Sequence, residues 1–201
     1  MKLLLDFDET LVSSASEILL ILNKINAIED NPITLDEVLK CRNRVDFYNR
    51  FFHLEQFTKD EFLYLFSKIR EDLMQTKTYI DLFSLNPVIY EIAIRAQESN
   101  IYKNLSIISY RDEKSIKMIL NSLGIARIFD KIYTIPYGCS KNSFIDEESV
   151  LIDDNYQNIC NLPKMCYGIH YKKPIDFELW DQGERRGIDK CSIIAGEFKV
   201  K

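Results

Sequence analysis

Histidine is scarce in this chain: its 201 residues contain two, His53 and His170. A histidine-rich metal site is therefore excluded. Five cysteines, Cys41, Cys139, Cys160, Cys166 and Cys191, are odd in number and include no C-x-x-C pair. That pattern lacks metal-finger spacing and argues against a disulfide framework. Reduced thiols in a cytoplasmic compartment are the expectation. No apolar run approaches the roughly 18 residues of a membrane span, so no membrane contact is expected. The run at Leu3–Leu5 is too short for a secretory signal, and acids follow it at once. A basic block is also missing, and 31 acidic residues outnumber 26 basic ones for a net charge of −5. This argues against tight binding to a nucleic-acid backbone. It leaves room for a small phosphorylated substrate, which one arginine and a metal can hold locally. Internal repeats and low-complexity segments are absent.

What is present suits a folded α/β protein. Hydrophobic residues make up 46% and aromatic residues 12%, enough for a core in one α/β domain carrying an insertion. The chain opens with Met1-Lys-Leu-Leu-Leu-Asp6-Phe-Asp8-Glu-Thr10. A short apolar run closed by acids reads as a buried parallel strand, Lys2 to Phe7. Ligands of open parallel sheets bind beyond the carboxyl ends of the strands, which puts Asp6 and Asp8 at the mouth of a site. Two like charges there are costly unless a metal or a mechanism uses them. Taken alone, the stretch reads equally as a strand with an acidic turn.

Residues 12 to about 84 read as helical throughout, with no strand. Ser14 and Glu17, Thr34 and Glu37, and Thr58 and Glu61 each have capping-box spacing. Apolar residues follow at helical intervals, as in Ile18, Leu19, Leu22 and Ile25, or Phe62, Phe66, Ile69 and Leu73. Asn86-Pro87 then starts a helix, and the pattern becomes βαβ. Strands are expected at Leu105–Ile108, Lys131–Ile135, Val150–Ile152 and Met165–Ile169. A helix over Asp112–Leu123 is closed by Gly124, and Asn155–Asn161 forms a helical turn. Strands alternating with helices predict a Rossmann-like core with a parallel sheet flanked by helices. The core comprises residues 1–11 and 85–201, and residues 12–84 form a small all-helical insertion. Beyond Lys172, Cys191–Ala195 is a candidate extra strand, and Pro174 and Trp180 are candidate cover for the core.

The strand ends line up the polar residues in a fixed order: Asp6 and Asp8, then Ser109, then Lys141 in a loop, then Asp153-Asp154. Each has an ordinary reading by itself. Thr10 can cap a turn, a serine can end a strand, a lysine can be solvated, and Asp153-Asp154 can cap the next helix. Together, LLLDFDET, LSIISYR, Lys141 within YGCSKNSF, and VLIDDNYQN resemble the haloacid dehalogenase-like phosphohydrolase superfamily. Its pattern is hhhDxDx[TV], hhh[ST], a lysine and hhh[DG]D, and the match runs from residue 3 to residue 158.

The resemblance implies an enzyme, a phosphoric monoester hydrolase working through an aspartyl-phosphate. Asp6 would be the nucleophile and Asp8 the general acid and base. Ser109 would hold phosphate oxygens, and Lys141 would neutralise the phosphorylated aspartate. Mg²⁺ would be held by Asp6, the backbone carbonyl of Asp8 and Asp154, with Asp153 ranked behind them. Dehalogenases of the superfamily lack the second acid and P-type ATPases have threonine there, so Asp8 implies phosphatase or phosphomutase chemistry. The helical insertion resembles a cap that reads the leaving group. Candidate substrate contacts are Thr10, Ser109, Tyr110 and Arg111, together with Arg44 and Tyr48 from the segment CRNRVDFYNRFF. Its aromatics stack on a base or, as i,i+4 pairs, pack the insertion's own core. VLIDDNYQN and YGIHYKKPIDFELW are loosely similar to the 5′(3′)-deoxyribonucleotidases. A (deoxy)nucleoside monophosphate is therefore the leading substrate, with a sugar phosphate as the alternative. A catalytically inactive binding module is the alternative of a different class.

Overall fold

The computed structural model describes residues 1–26, 32–41, 44–52, 57–99, 101–136, 138–145, 148–160 and 162–171. The expected features at Pro174, Trp180 and Cys191–Ala195 lie outside these. The chain forms two compact units, Met1–Ser13 with Leu85–Lys201, and Ser14–Ser84. In chain order the elements are β1 (Lys2–Leu5), β2 (Val12–Ser13), α1 (Ala15–Ile25), α2 (Leu35–Leu39), α3 (Arg44–Phe51), α4 (Lys59–Met74), β3 (Ser84–Leu85), α5 (Pro87–Glu98), β4 (Asn104–Ser109), α6 (Glu113–Ser122), β5 (Lys131–Thr134), β6 (Ser149–Asp153), α7 (Tyr156–Ile159) and β7 (Tyr167–His170).

The α/β unit is a five-stranded sheet in the order β5-β4-β1-β6-β7. All four pairings are parallel. β1 is central, and Leu3, Leu4 and Leu5 are all buried, as expected of a strand covered on both faces. The chain adds β4 and β5 on one side of β1 and β6 and β7 on the other. The reversal makes the carboxyl end of β1 the switch point where such sheets bind ligands. Leu4, Ile108, Ile135, Ile145 and Leu151 form one buried cluster in this unit.

Two helices of the unit follow from local sequence signals. α5 starts at Asn86, whose side chain accepts from the Val88 and Ile89 amides, with Pro87 at the first helical position. It buries Ile89, Ile92, Ala93 and Ala96. α6 is capped by Asp112 and buries Ile116, Ile119 and Leu120. Gly124 ends it with φ +72°, a left-handed conformation that glycine adopts without steric cost.

The Ser14–Ser84 unit is helical. Phe62 is its aromatic hub, with ring centroids 5.6 Å from Tyr48, 5.1 Å from Phe52 and 5.9 Å from Phe66. Thr34 with Glu37 and Thr58 with Glu61 form complete capping boxes. Two expectations are corrected. Residues 12 and 13 and residues 84 and 85 are extended and pair as a two-stranded sheet, where a wholly helical 12–84 was expected. Two-residue strands are too short to show an alternation in sequence. Ser14 makes no side-chain cap to α1, and Glu17 is turned inward instead, fully buried. Its carboxylate accepts from Arg70 Nε at 2.9 Å and Nη2 at 2.8 Å and from the Tyr79 hydroxyl at 2.6 Å.

Candidate active site

The site grows out of the segment after β1. The amide of Asp6 donates to the Ile152 carbonyl at 2.9 Å, which extends the β1–β6 pairing by one residue. Phe7, Leu11 and Val12 are fully buried and anchor the loop between them. Glu9, beside Asp8, has φ 62°. A non-glycine residue rarely adopts this left-handed conformation, which costs of order 1 kcal/mol and concentrates at functional sites.

Asp6, Lys141 and Asp153 meet although they are far apart in sequence. Lys141 Nζ donates to Asp6 Oδ1 at 2.5 Å and to Asp153 Oδ2 at 2.7 Å. All three residues are buried. Lys141 reaches the site from a 3-10 turn, Lys141–Phe144, capped by Ser140. Asp153 is further held by the Asn155 amide at 2.8 Å and by Asn158 Nδ2 at 3.0 Å. Asp6, Asp153 and Asp154 each present a carboxylate oxygen within 4.8 Å of the others.

Among the described residues, three carboxylates, Asp6, Asp153 and Asp154, gather near one ammonium, Lys141. Burial, followed by the neighbouring charges of Asp153 and Asp154, pushes the Asp6 carboxyl well above its ordinary value, against the pull of Lys141. Burial acts to lower the Lys141 value, but Asp6 and Asp153 outweigh it and hold the ammonium above its ordinary range. An all-oxygen donor set with surplus negative charge fits a hard divalent cation. Asp6 and Asp154 are the candidates for direct contact that the motif resemblance implies. Asp153 has both oxygens engaged by protein donors, as does Asp6.

Thr10 is fully buried. Its hydroxyl donates to Asp6 Oδ2 at 3.3 Å and accepts from the Asp154 amide at 3.1 Å. It thus ties the nucleophile candidate to the β6–α7 turn. Ser109 ends β4, and its Oγ accepts from the Arg111 amide at 3.1 Å. The Tyr110 hydroxyl donates to the Cys139 carbonyl at 3.0 Å, and its ring centroid lies 5.3 Å from Lys141 Nζ. Arg111 is buried and forks onto the Asp8 carboxylate, with Nη2 to Oδ1 at 2.6 Å. Tyr48 lies in the aromatic cluster of the helical unit, with its hydroxyl donating to the Phe57 carbonyl at 2.7 Å. Arg44 is the first residue of α3.

Two contributors were not singled out from sequence. Asn86 reads as a helix cap, yet its Nδ2 also donates to the Thr10 carbonyl at 2.9 Å, which steadies the loop carrying the aspartates. Asn158 reads as part of a helical turn. Its place at the end of the VLIDDNYQN motif was the available signal.

No family model matches the chain, and no curated protein sequence matches it. Solved structures do. A haloacid dehalogenase-like family hydrolase from Streptococcus pneumoniae superposes with a TM-score of 0.58 at 18% identity, covering 79% of this chain and 77% of that one. A protein described as a predicted phosphatase from Clostridium acetobutylicum gives 0.65 at 16% identity over 91% and 90%. One named for phosphoglycolate phosphatase, from Lactobacillus delbrueckii subsp. bulgaricus, gives 0.63 at 14% identity over 98% of both chains. The fold is therefore the haloacid dehalogenase-like fold, in agreement with the motif resemblance. At these identities the likeness establishes architecture, and the reaction must be argued from the site.

Proposed function

We propose that the chain is a Mg²⁺-dependent phosphomonoesterase acting on a small phosphorylated metabolite. The observation that carries this reading is the buried Asp6 carboxylate, gripped by Lys141 at 2.5 Å and grouped with Asp153 and Asp154. A carboxylate on a fixed ammonium is oriented for attack on an electrophile. Surplus charge around it suits a reaction that brings a cation and a phosphoryl group together.

Mg²⁺, when bound, neutralises charge on the phosphoryl oxygens. The chain's own groups do the rest. One oxygen of Asp6 attacks phosphorus as the bond to the leaving oxygen breaks, and Asp8 gives that oxygen its proton. The aspartyl-phosphate on Asp6 is balanced by Lys141. Water then attacks phosphorus, Asp8 takes its proton, and Asp6 is released with inorganic phosphate. Thr10 keeps Asp6 and the Asp154 backbone in register throughout.

Among substrates, the sequence likeness of VLIDDNYQN to deoxyribonucleotidases supports (deoxy)nucleoside monophosphates. The name of the L. delbrueckii neighbour supports a small phosphorylated acid. Buried Tyr48 offers no support for base stacking at that residue. A cytoplasmic location is part of this reading and is supported by an odd number of cysteines with no C-x-x-C spacing. Among the described residues no helix is long and apolar enough to cross a membrane.

A panel of nucleoside monophosphates and sugar phosphates with Mg²⁺ tests the proposal. Turnover of at least one compound, lost with a chelator and in Asp6→Asn, is expected. Cation binding with no turnover of any compound would favour the inactive binding module instead.

A further inference from the structure

The mechanism above uses Asp8 as a proton carrier and leaves Arg111 without a task. Arg111 is the second residue after Ser109, in the loop between β4 and α6. Its side chain is fully buried, whereas that of Asp8 is 31% exposed. Nε donates to Asp8 Oδ1 at 3.0 Å and Oδ2 at 3.1 Å, and Nη2 donates to Oδ1 at 2.6 Å. Nη1 donates to Ser115 Oγ at 3.2 Å, on the first turn of α6. The guanidinium carbon lies 5.9 Å from the centroid of the Phe7 ring. The arginine is thus fixed by a helix, by an aromatic ring and by Ser109, and it presents its Nε–Nη2 edge to one carboxylate.

We propose that Arg111 is a positioning residue for Asp8, and not a ligand of the substrate phosphate. This rests on the phosphomonoesterase reading. A planar guanidinium held on two oxygens fixes the direction of a carboxyl group, which a mobile ammonium cannot do. Among the described contacts, Nε and Nη2 of this buried side chain are turned toward Asp8 and Nη1 toward Ser115. The consequence is selective. Positioning Asp8 matters for the step in which the leaving oxygen needs a proton, and it matters little where that oxygen leaves as a stable anion.

The test compares two esters on the full chain with Mg²⁺: p-nitrophenyl phosphate, whose phenolate leaves without a proton, and whichever alkyl phosphate the panel shows to be a substrate. The ratio kcat/KM covers steps through cleavage of the ester bond. In Arg111→Ala it is expected to fall about 10²-fold for the alkyl ester and only a few-fold for the aryl ester, the size of an acid–base contribution. Inhibition by inorganic phosphate should be unchanged. Arg111→Lys keeps the charge without the fork and should recover less than about one tenth of the lost activity, by the same geometric argument. It also serves if the alanine variant does not fold. Adding Arg111→Ala to Asp8→Asn should cause no further loss of alkyl ester turnover.

Equal losses on both esters would overturn the positioning role while leaving the phosphatase reading intact. So would weakened phosphate inhibition, which would make Arg111 a phosphate ligand. A wild-type chain that turns over neither ester would overturn the phosphatase reading and the role of Arg111 with it.

Discussion

The two units bury charge in opposite ways. In the helical unit one carboxylate, Glu17, meets one guanidinium, Arg70, and a tyrosine hydroxyl. Among the described residues these charges cancel, and the contacts link α1, α4 and the turn at Tyr79. In the α/β unit Asp6, Asp153 and Asp154 crowd one ammonium. The first arrangement stabilises its own fold once formed, because removing either partner strands a buried charge. The second works against its fold, since like charges are held close together. Balanced buried charge marks a structural joint. Carboxylates crowded at the switch point of a parallel sheet are the basis of the reaction proposed for this chain.

This contrast can be broken most forcefully at the two acids. Asp6→Asn should reduce phosphomonoester turnover by at least about 10³-fold, as expected for a nucleophile, in steady-state assays. Its thermal unfolding midpoint should not drop and is expected to rise. The Asp6 carboxyl is pushed upward, so the folded state holds its proton more tightly than the unfolded chain. The charged form is then a destabilising burden at neutral pH, and stability is lost as pH rises above the unfolded value. Glu17→Gln should do the reverse, leaving the chemical groups in place but costing about 3 kcal/mol of stability, read by urea unfolding. A midpoint that moves the same way in both variants would dissolve the distinction.

Smaller effects sharpen it. Millimolar Mg²⁺ should raise the unfolding midpoint of the wild-type chain by linkage. The rise should vanish in Asp154→Asn and persist in Glu17→Gln. Thr58→Ala, which removes one capping box from α4, should cost about 1 kcal/mol and leave kcat/KM for p-nitrophenyl phosphate unchanged.

The sequence carried the strands and their polar ends because a buried parallel strand is a nearly unbroken apolar run. An acid after such a run, as at Asp6 or Asp153, has nowhere to go but the sheet edge. Thr34 and Thr58 were legible as caps because the box is local. Ser14 with Glu17 carried the same local signal and misled. What overrides it is the Arg70–Tyr79 pair, 53 and 62 residues away, and no spacing rule reaches that far. Arg111 and Thr10 were visible as members of the motifs, but their tasks were not. Whether a side chain meets substrate or another protein group is decided by tertiary packing. The same holds for Tyr48, where i,i+4 spacing fits both a stacking surface and the aromatic core it joins.

The central claim is that the surplus charge at the end of β1 exists to make Asp6 a nucleophile. The most direct measurement is to quench the chain with acid during turnover of p-nitrophenyl phosphate with Mg²⁺ and to map phosphoryl groups by mass spectrometry. A phosphoryl group is expected on the peptide carrying Asp6, absent in Asp6→Asn and absent with a chelator. Rapid turnover with no phosphoryl group on that peptide, and undiminished in Asp6→Asn, would contradict it.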